Sequence, residues 1–516
     1  MDSRHSTQNL RRMIDSARYP IHFHVSLRRR SVYNAYVSCL HLKQNTSYAG
    51  LHPRKKEKRC AGLRRRADSM NLSLPDLQEW INHNRQEIID DLFGLVRIPS
   101  ISDPSSPVRP FGQPCQDALA YMYTLAARHG LSSDDFSHTV GRIRLTRREH
   151  ARSIGIWCHL DVVPVPNPED WVYPPFEGTE VDHRYLIGRG IQDNKMPAIA
   201  VFHVFRYLQE KGIELNRDWS LYLGTSEENG MDDVRWFVRN CACPDLSLVP
   251  DTGFPVCTAQ RGSQVLRFSI PLDPGTSLAF RCGSNISVTP ETVTAEFGDG
   301  RVLRSQGHGF HIIRADHDNA VLHMLEQLSS ALPGYAESLT GLRVLLDSEE
   351  SMGIAYSDEA SGPVFARPTQ MSFENGRLLV DVFSVIPVTG NPDALLASAQ
   401  AKAGASGIDC KRRSMRPPCY FRSDHPLVRV LTDVYHDVTG DPAGPFIMTG
   451  GNYASLLPNA LGYGPGMPGR LFPESIFPQG HGDYHQCDES EDWEHIVSFM
   501  KVYAEAVMRL DSTDKL

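Results

Sequence analysis

The chain has 516 residues, 41% of them apolar and 22% charged, the composition of a globular protein with room for two or more domains. No stretch approaches the roughly 18 uninterrupted apolar residues of a membrane span, so no membrane partner is expected. The net charge of −8 is uneven: residues 1–69 hold sixteen Lys/Arg against four Asp/Glu, which leaves the remainder strongly acidic and a poor binder of nucleic acid.

The first 69 residues carry basic clusters at 28–30, 54–59 and 64–66 without a sustained helical or strand period. They read as a basic extension: a binding tail, a targeting peptide or an upstream stretch outside the working protein. The functional chain is expected to begin near Met70. Ser73 then caps a helix, with Pro75 in its first turn and Asp76 three residues after the cap. Leu77, Ile81, Ile88, Leu92 and Leu95 give that helix one apolar face. A Pro-rich loop over 104–114 and a second helical stretch ending near His129 follow. The apolar run from Ile154 then reads as a buried strand that delivers His159 and Asp161 at its C-terminal end, where open α/β sheets place their chemistry. Alternation puts Cys158 on the opposite face from His159.

The loop 163–176, rich in Pro and aromatic residues, is expected over the mouth of the site. Gln192-Asp193-Asn194-Lys195 precedes a helix from about Pro197 to Gly212. The run 219–224 is a strand ending in Thr225-Ser226-Glu227-Glu228, and 246–249 is another ending at Asp251. Strands alternating with helices predict an α/β sheet. From about Ser263 the pattern changes to alternating runs at 265–270, 292–297 and 378–386 around one clear helix, 320–332, the grammar of a smaller α+β unit. After Cys419 come a helix over 427–438, a Gly/Pro-rich tract over 450–482 and a closing helix with Trp493, Val497, Met500, Ala504 and Val507 on one face. The expected organisation is a catalytic α/β domain with a mixed sheet flanked by helices, built from 70–262 and 420–516, and an inserted α+β lid over 263–419. Eleven scattered cysteines suit a reducing, cytoplasmic setting. Cys241 and Cys243, with no second pair nearby, read as thiols rather than a zinc site.

Acidic residues recur at the strand ends: Asp161, Asp193, Glu227 with Glu228, and Asp251. Singly, each is a helix cap or a solvated loop charge. Gathered at one sheet edge beside His159 they would repel strongly, and a bound dication removes that penalty. His and carboxylate ligands suit zinc or a neighbouring first-row metal. A histidine late in the chain completes such a set, and His485 in His-Gln-Cys-Asp-Glu is the best placed.

Six segments occur in order: His159-Leu-Asp-Val-Val-Pro, Gly188-Arg-Gly-Ile-Gln-Asp-Asn-Lys, Thr225-Ser-Glu-Glu, Pro250-Asp-Thr-Gly-Phe-Pro, Gly450-Gly-Asn-Tyr-Ala and His485-Gln-Cys-Asp-Glu. Together, across roughly 70–510, they resemble the co-catalytic metallopeptidase family of carnosinase, aminoacylase, succinyl-diaminopimelate desuccinylase and the bacterial dipeptidases, most closely the last branch. The resemblance implies two divalent ions, zinc first with manganese or cobalt as alternatives. His159 and Asp251 would hold one, Glu228 and His485 the other, and Asp193 would bridge them. It implies that Asp161 orients the His159 ring and that Glu227 is the general base. His311, in Gly307-His-Gly-Phe-His, and Asn285, in Cys282-Gly-Ser-Asn, match lid donors to a tetrahedral oxyanion. The plainer readings are a surface histidine and a turn asparagine.

The implied substrate is a dipeptide or small peptide. An N-acyl amino acid amidohydrolase acting on acylated amino acids is the alternative within enzymes, and a peptide-binding homologue with little catalysis the alternative outside them. The assembly is a monomer or a homodimer. Two departures bear on the substrate: Val385-Ile386-Pro387 stands where relatives carry Arg-Tyr-Pro, and Ser455 follows Tyr453-Ala454 where arginine is common. An arginine is the natural bidentate clamp for a substrate carboxylate, and Arg314, Arg367 and Arg422 are the candidates to replace it. Met196 also replaces the glycine usual after Asp-x-Lys, and Arg261 the lysine usual before Gly262.

Overall fold

The computed structural model describes residues 72–514 apart from 147–149, 284, 315–317, 470 and 471. The basic extension over 1–69 and the expected start at Met70 therefore lie outside the described residues.

The Ser73 hydroxyl accepts from the Asp76 N–H at 3.3 Å and starts the helix Leu74–Val96. The predicted face of Leu77, Ile81, Ile88, Leu92 and Leu95 is buried. It packs with the helices Gln113–Arg128, Met196–Glu210, Pro426–Thr439 and Trp493–Ser512 in one large apolar core. Met196–Glu210 is apolar almost all round, so nearly every residue of it is inside.

Against this core lies a sheet whose order is Ser132–Phe136, Val140–Arg144, Asp218–Gly224, Ser153–His159, Leu246–Val249, Ala460–Gly462, Cys257–Gln260 and Cys419–Tyr420, with Phe446–Met448 pairing on Cys257–Gln260. The third to sixth of these strands are mutually parallel, so their C-terminal ends share one edge. Both faces of the parallel strands are covered, which explains their continuous apolar runs. Ile154, Ile156 and Cys158 enter the helical core, while Trp157 joins Tyr222, Phe237, Val249 and Tyr453 on the other face. Trp157 stacks on Tyr222 with ring centroids 4.3 Å apart.

One hairpin was not legible in the sequence. Ser132–Phe136 has no apolar alternation, and it pairs with Val140–Arg144 through Asp134, whose Oδ2 accepts from both Arg142 and Arg144 at 2.9 Å. Cross-strand charge pairing does there what packing does elsewhere.

The inserted segment has its own core. Its main sheet is antiparallel throughout, in the order Phe365–Glu374, Arg377–Ile386, Gly262–Pro271 and Asp409–Arg416. A second sheet joins Leu278–Arg281, Thr292–Phe297 and Val302–Gln306. The expected helix is Ala320–Ala331, but Ala336–Leu345 and Pro392–Ala405 are helices as well. The last is capped by the Asn391 side chain and buries only Leu395, Ala399 and Ala403. Its stability comes from alanine propensity more than from a stripe of large apolar residues, so periodicity does not reveal it. The fold is thus α/β, with a mixed sheet flanked by helices and an inserted α+β lid. Among the described residues no helix is long and apolar enough to cross a membrane.

Candidate metal centre and active site

His159 is the last residue of its strand and is opposite Gly224 of the neighbouring parallel strand. That register brings the His159-Leu-Asp161 turn beside the Thr225-to-Glu228 turn, and Asp251 follows the next strand on the same edge. His159 is 1% exposed. Its Nδ1–H donates to the Asp161 main-chain carbonyl at 3.0 Å, which turns Nε2 toward Asp193, 3.0 Å from Oδ1. The other carboxylate oxygen of Asp193 is 3.0 Å from His485 Nε2, and that nitrogen is 3.1 Å from Glu228 Oε1. His485 holds a left-handed backbone at φ 63°, an uncommon conformation for a residue with a β-carbon and one that clusters at functional sites.

Asp161 does more than the resemblance implied. Its Oδ1 is 3.5 Å from the His159 ring, while its two oxygens accept the N–H groups of Glu227 and Glu228, each at 3.0 Å. It therefore locks both glutamates relative to the histidine.

The same edge carries a buried supporting layer that motif reasoning missed. Asp233 accepts from the N–H groups of Thr225 and Ser226 at 2.7 and 2.8 Å and from the Tyr453 hydroxyl. Burial pushes its carboxyl up to about 6. Gly224 is needed for this contact, because a β-carbon there would lie 1.9 Å from the Tyr453 hydroxyl oxygen. Asn452 donates to the Asp251 carbonyl at 2.5 Å and is itself held by Gln260. Glu489 accepts from the N–H groups of Gln192 and Asp193 at 2.9 and 3.0 Å and from Arg189 at 2.6 Å. Asp488 accepts from the N–H groups of Val172 and Tyr173, each at 3.0 Å, which ties the 163–176 loop to the His485 segment. Lys195 is fully buried and donates to the carbonyls of Leu95 and Ile98 at the end of the first helix. The spacing of His485-Gln-Cys-Asp-Glu was the available signal for Asp488 and Glu489. Nothing local marked Asp233.

Removing Glu489 tests this layer. The Glu489→Ala chain should lose about 3–5 kcal/mol of stability, because the Arg189 guanidinium, 3% exposed, is left as an uncompensated buried charge. The urea midpoint of the full chain reads this, and a loss below about 1 kcal/mol would show that water or the Trp171 ring, whose centroid is 5.0 Å from the guanidinium carbon, compensates.

The electrostatics of the cluster favour a bound cation. Burial and the neighbouring Asp251 hold the Glu227 carboxyl well above its ordinary pKa. Burial and Asp193 do the same for Asp251, and burial raises Glu228. Asp193 goes the other way: burial opposes its ionisation, but hydrogen bonds from His159 and His485 outweigh that and hold it below the usual carboxylate range. Burial disfavours the imidazolium of His485, yet Asp193 and Glu228 push its pKa up to about 10. Ligand atoms of His159, Asp193 and Glu228 lie within 4.8 Å of one another, and so do those of His159, Glu227 and Asp251. This donor set, imidazole plus several carboxylates too crowded to ionise together, fits divalent metal ions.

The structure does not gather all nine predicted residues. His311 lines a cavity of about 510 Å³ with Arg314, Val385, Arg416, Thr449 and Gly450. A second cavity, about 390 Å³, is lined by Glu227, Glu228, Gln264 and Phe383 and shares Arg416 with the first. His311 therefore lines a cavity that adjoins the one lined by Glu227 and Glu228. Asn285 lines a different depression, and its carboxamide oxygen accepts from the Ser287 N–H and hydroxyl at 2.9 and 2.8 Å, the plainer turn reading. Of the replacement arginines, Arg367 is paired with Glu349 at 2.8 Å and Arg422 with Asp424 at 2.7 Å, so only Arg314 reaches the cavity.

Parallel strands that end in a buried histidine–carboxylate cluster, with a separate lid sheet across a cavity, define this chain as a metallopeptidase. Its relationships agree with that class. The chain belongs to peptidase family M20/M25/M40, whose profile matches residues 155–509. It is 24% identical over 478 residues to a protein named as a dipeptidase from Staphylococcus aureus (strain bovine RF122 / ET3-1), covering 84% of this chain and 99% of that protein. A protein named as a dipeptidase from Staphylococcus epidermidis (strain ATCC 12228 / FDA PCI 1200) is 25% identical over 482 residues, with the same coverage of 84% and 99%. Among solved structures, human carnosine dipeptidase 1 aligns with a TM-score of 0.54 at 14% identity, over 86% of this chain and 100% of that one, which shows a shared fold.

Proposed function

We propose that the chain hydrolyses the amide bond of dipeptides, using two divalent ions of which zinc is the first candidate. The observation that carries this reading is the junction of His159, Asp193 and His485, with Asp193 within 3.0 Å of both imidazoles. His159 and Asp251 would hold one ion, Glu228 and His485 the other, and Asp193 both. When bound, the ions would supply Lewis acidity for water activation and carbonyl polarisation. Glu227, fixed by its N–H on Asp161, takes the proton of the attacking water and returns it to the leaving amine. His311 donates to the developing oxyanion from the lid side; burial and Arg314 lower its pKa and keep the ring neutral near pH 7. Asn285 is left out of the reaction because it lines a depression separate from the cavities of His311 and Glu227.

The two separate apolar cores support a division into a catalytic part over 70–262 and 420–516 and a lid over 263–419. The nine described cysteines are free thiols, which supports a cytoplasmic setting.

Metal analysis of the purified chain combined with a hydrolysis panel tests the reading. The panel holds free dipeptides, their C-terminal amides, and N-acetyl and N-succinyl amino acids. Two ions per chain are expected, with kcat/KM for the best dipeptide at least about tenfold above that for any acylated amino acid. The reverse order would replace the dipeptidase with the amidohydrolase. Bound metal with no turnover of any compound would leave a binding protein.

A further inference from the structure

We propose that Arg416 anchors the α-carboxylate of the substrate's C-terminal residue, an arginine displaced along one row of the lid sheet from the position now filled by Val385. This deepens the peptidase reading and rests on it. The strands Arg377–Ile386 and Asp409–Arg416 flank Gly262–Pro271, and Ser263 is in register with Val385 on one side and with Arg416 on the other. Residues in register across antiparallel strands project to the same face, with neighbouring strands about 4.8 Å apart. Val385, Ser263 and Arg416 therefore form one row, and all three line the cavity that holds His311. Arg416 lines the Glu227 cavity as well. A substrate whose scissile bond sits at Glu227 thus has this guanidinium within its own cleft.

Arg416 is built for an anion. Its Nη1 is buried with no hydrogen-bond partner, and among the described residues no carboxylate forms an ion pair with it. The guanidinium is nevertheless held in place, packed so closely on Gly451 that a β-carbon there would lie 1.5 Å from Nη1. A charged donor kept dry and unpaired is unfavourable, and a ligand oxygen removes that penalty. The cavity shared with His311 has two arginines and no Asp or Glu in its lining, so its field selects an anion. The planar fork of an arginine matches a carboxylate bidentately, and the only carboxylate every free dipeptide carries beyond its scissile bond is the C-terminal one.

The test compares the best dipeptide of the hydrolysis panel with its C-terminal amide, on the full chain with its metals. Wild type is expected to prefer the acid by at least about 100-fold in kcat/KM. Arg416→Met should bring that ratio below about fivefold, with the loss falling more on KM than on kcat. Arg416→Lys, which keeps the charge over Gly451 without the fork, should give a ratio about tenfold below wild type, and it serves as the second variant if the methionine chain does not fold. A wild-type ratio near one overturns the proposal. So does an Arg416→Met or Arg416→Lys chain that loses acid and amide turnover equally. If wild type cleaves no free dipeptide, the peptidase reading fails first and this inference with it; cleavage without acid preference sinks this inference alone.

Discussion

Replacing Glu227 with glutamine is expected to lower kcat on the best dipeptide about 10³- to 10⁴-fold while two divalent ions stay bound per chain. The substitution keeps the shape and the N–H bond to Asp161 but removes the basic oxygen. The geometry also makes the metal count informative. Ligand atoms of Glu227, His159 and Asp251 lie within 4.8 Å of one another, close enough for Glu227 to be a ligand instead of the base. Retention of both ions with lost turnover identifies the base. Loss of one ion reassigns Glu227 to the metal, and turnover within about tenfold of wild type removes it from the mechanism.

Asp193→Asn should be more severe still. Metal content is expected to fall below about one ion per chain after dialysis, with no measurable turnover, whereas His485→Ala should keep close to one ion. Asp193 alone, among the described residues, contacts both His159 and His485, one through each oxygen. The amide removes the charge that both sides of the cluster share, and its NH₂ group turns a donor toward whatever binds there. His485 is more exposed, at 43% of its side chain, and its ion pairs are with Asp193 and Glu228, so its loss is confined to one side of the cluster. An Asp193→Asn chain that kept both ions would mean that the histidine contacts belong to a metal-free hydrogen-bond network.

The elements that local chemistry writes were readable. Ser73 with Asp76 marked the first helix, and the buried runs around Ile156, Leu221 and Leu248 marked three parallel strands. Elements stabilised by charge or by alanine were not, as the Asp134 hairpin and the helix Pro392–Ala405 show. The site divided the same way. His159, Asp193, Glu228, Asp251 and His485 stand at strand ends or in ordered motifs, and the fold brings them to one edge. Asp161 was expected to serve the histidine and turned out to serve the two glutamates as much. Arg416 was not legible beside Arg314, Arg367 and Arg422 as a candidate carboxylate clamp, because nothing in the linear order connects position 416 with position 385.

The sequence by itself determined the α/β class, the metallopeptidase motifs and the residues that carry charge to the sheet edge, since strand periodicity and helix caps act over a few neighbours. Only the tertiary structure decided how those charges are shared. Glu489 supports Asp193 from 296 residues away, Tyr453 supports the Glu227 turn through Asp233, and strand register alone sets Arg416 in the row of Val385. The physical reason is that a buried charge is governed by whatever lies within a few ångströms, and the chain brings those partners together only once the sheets have closed.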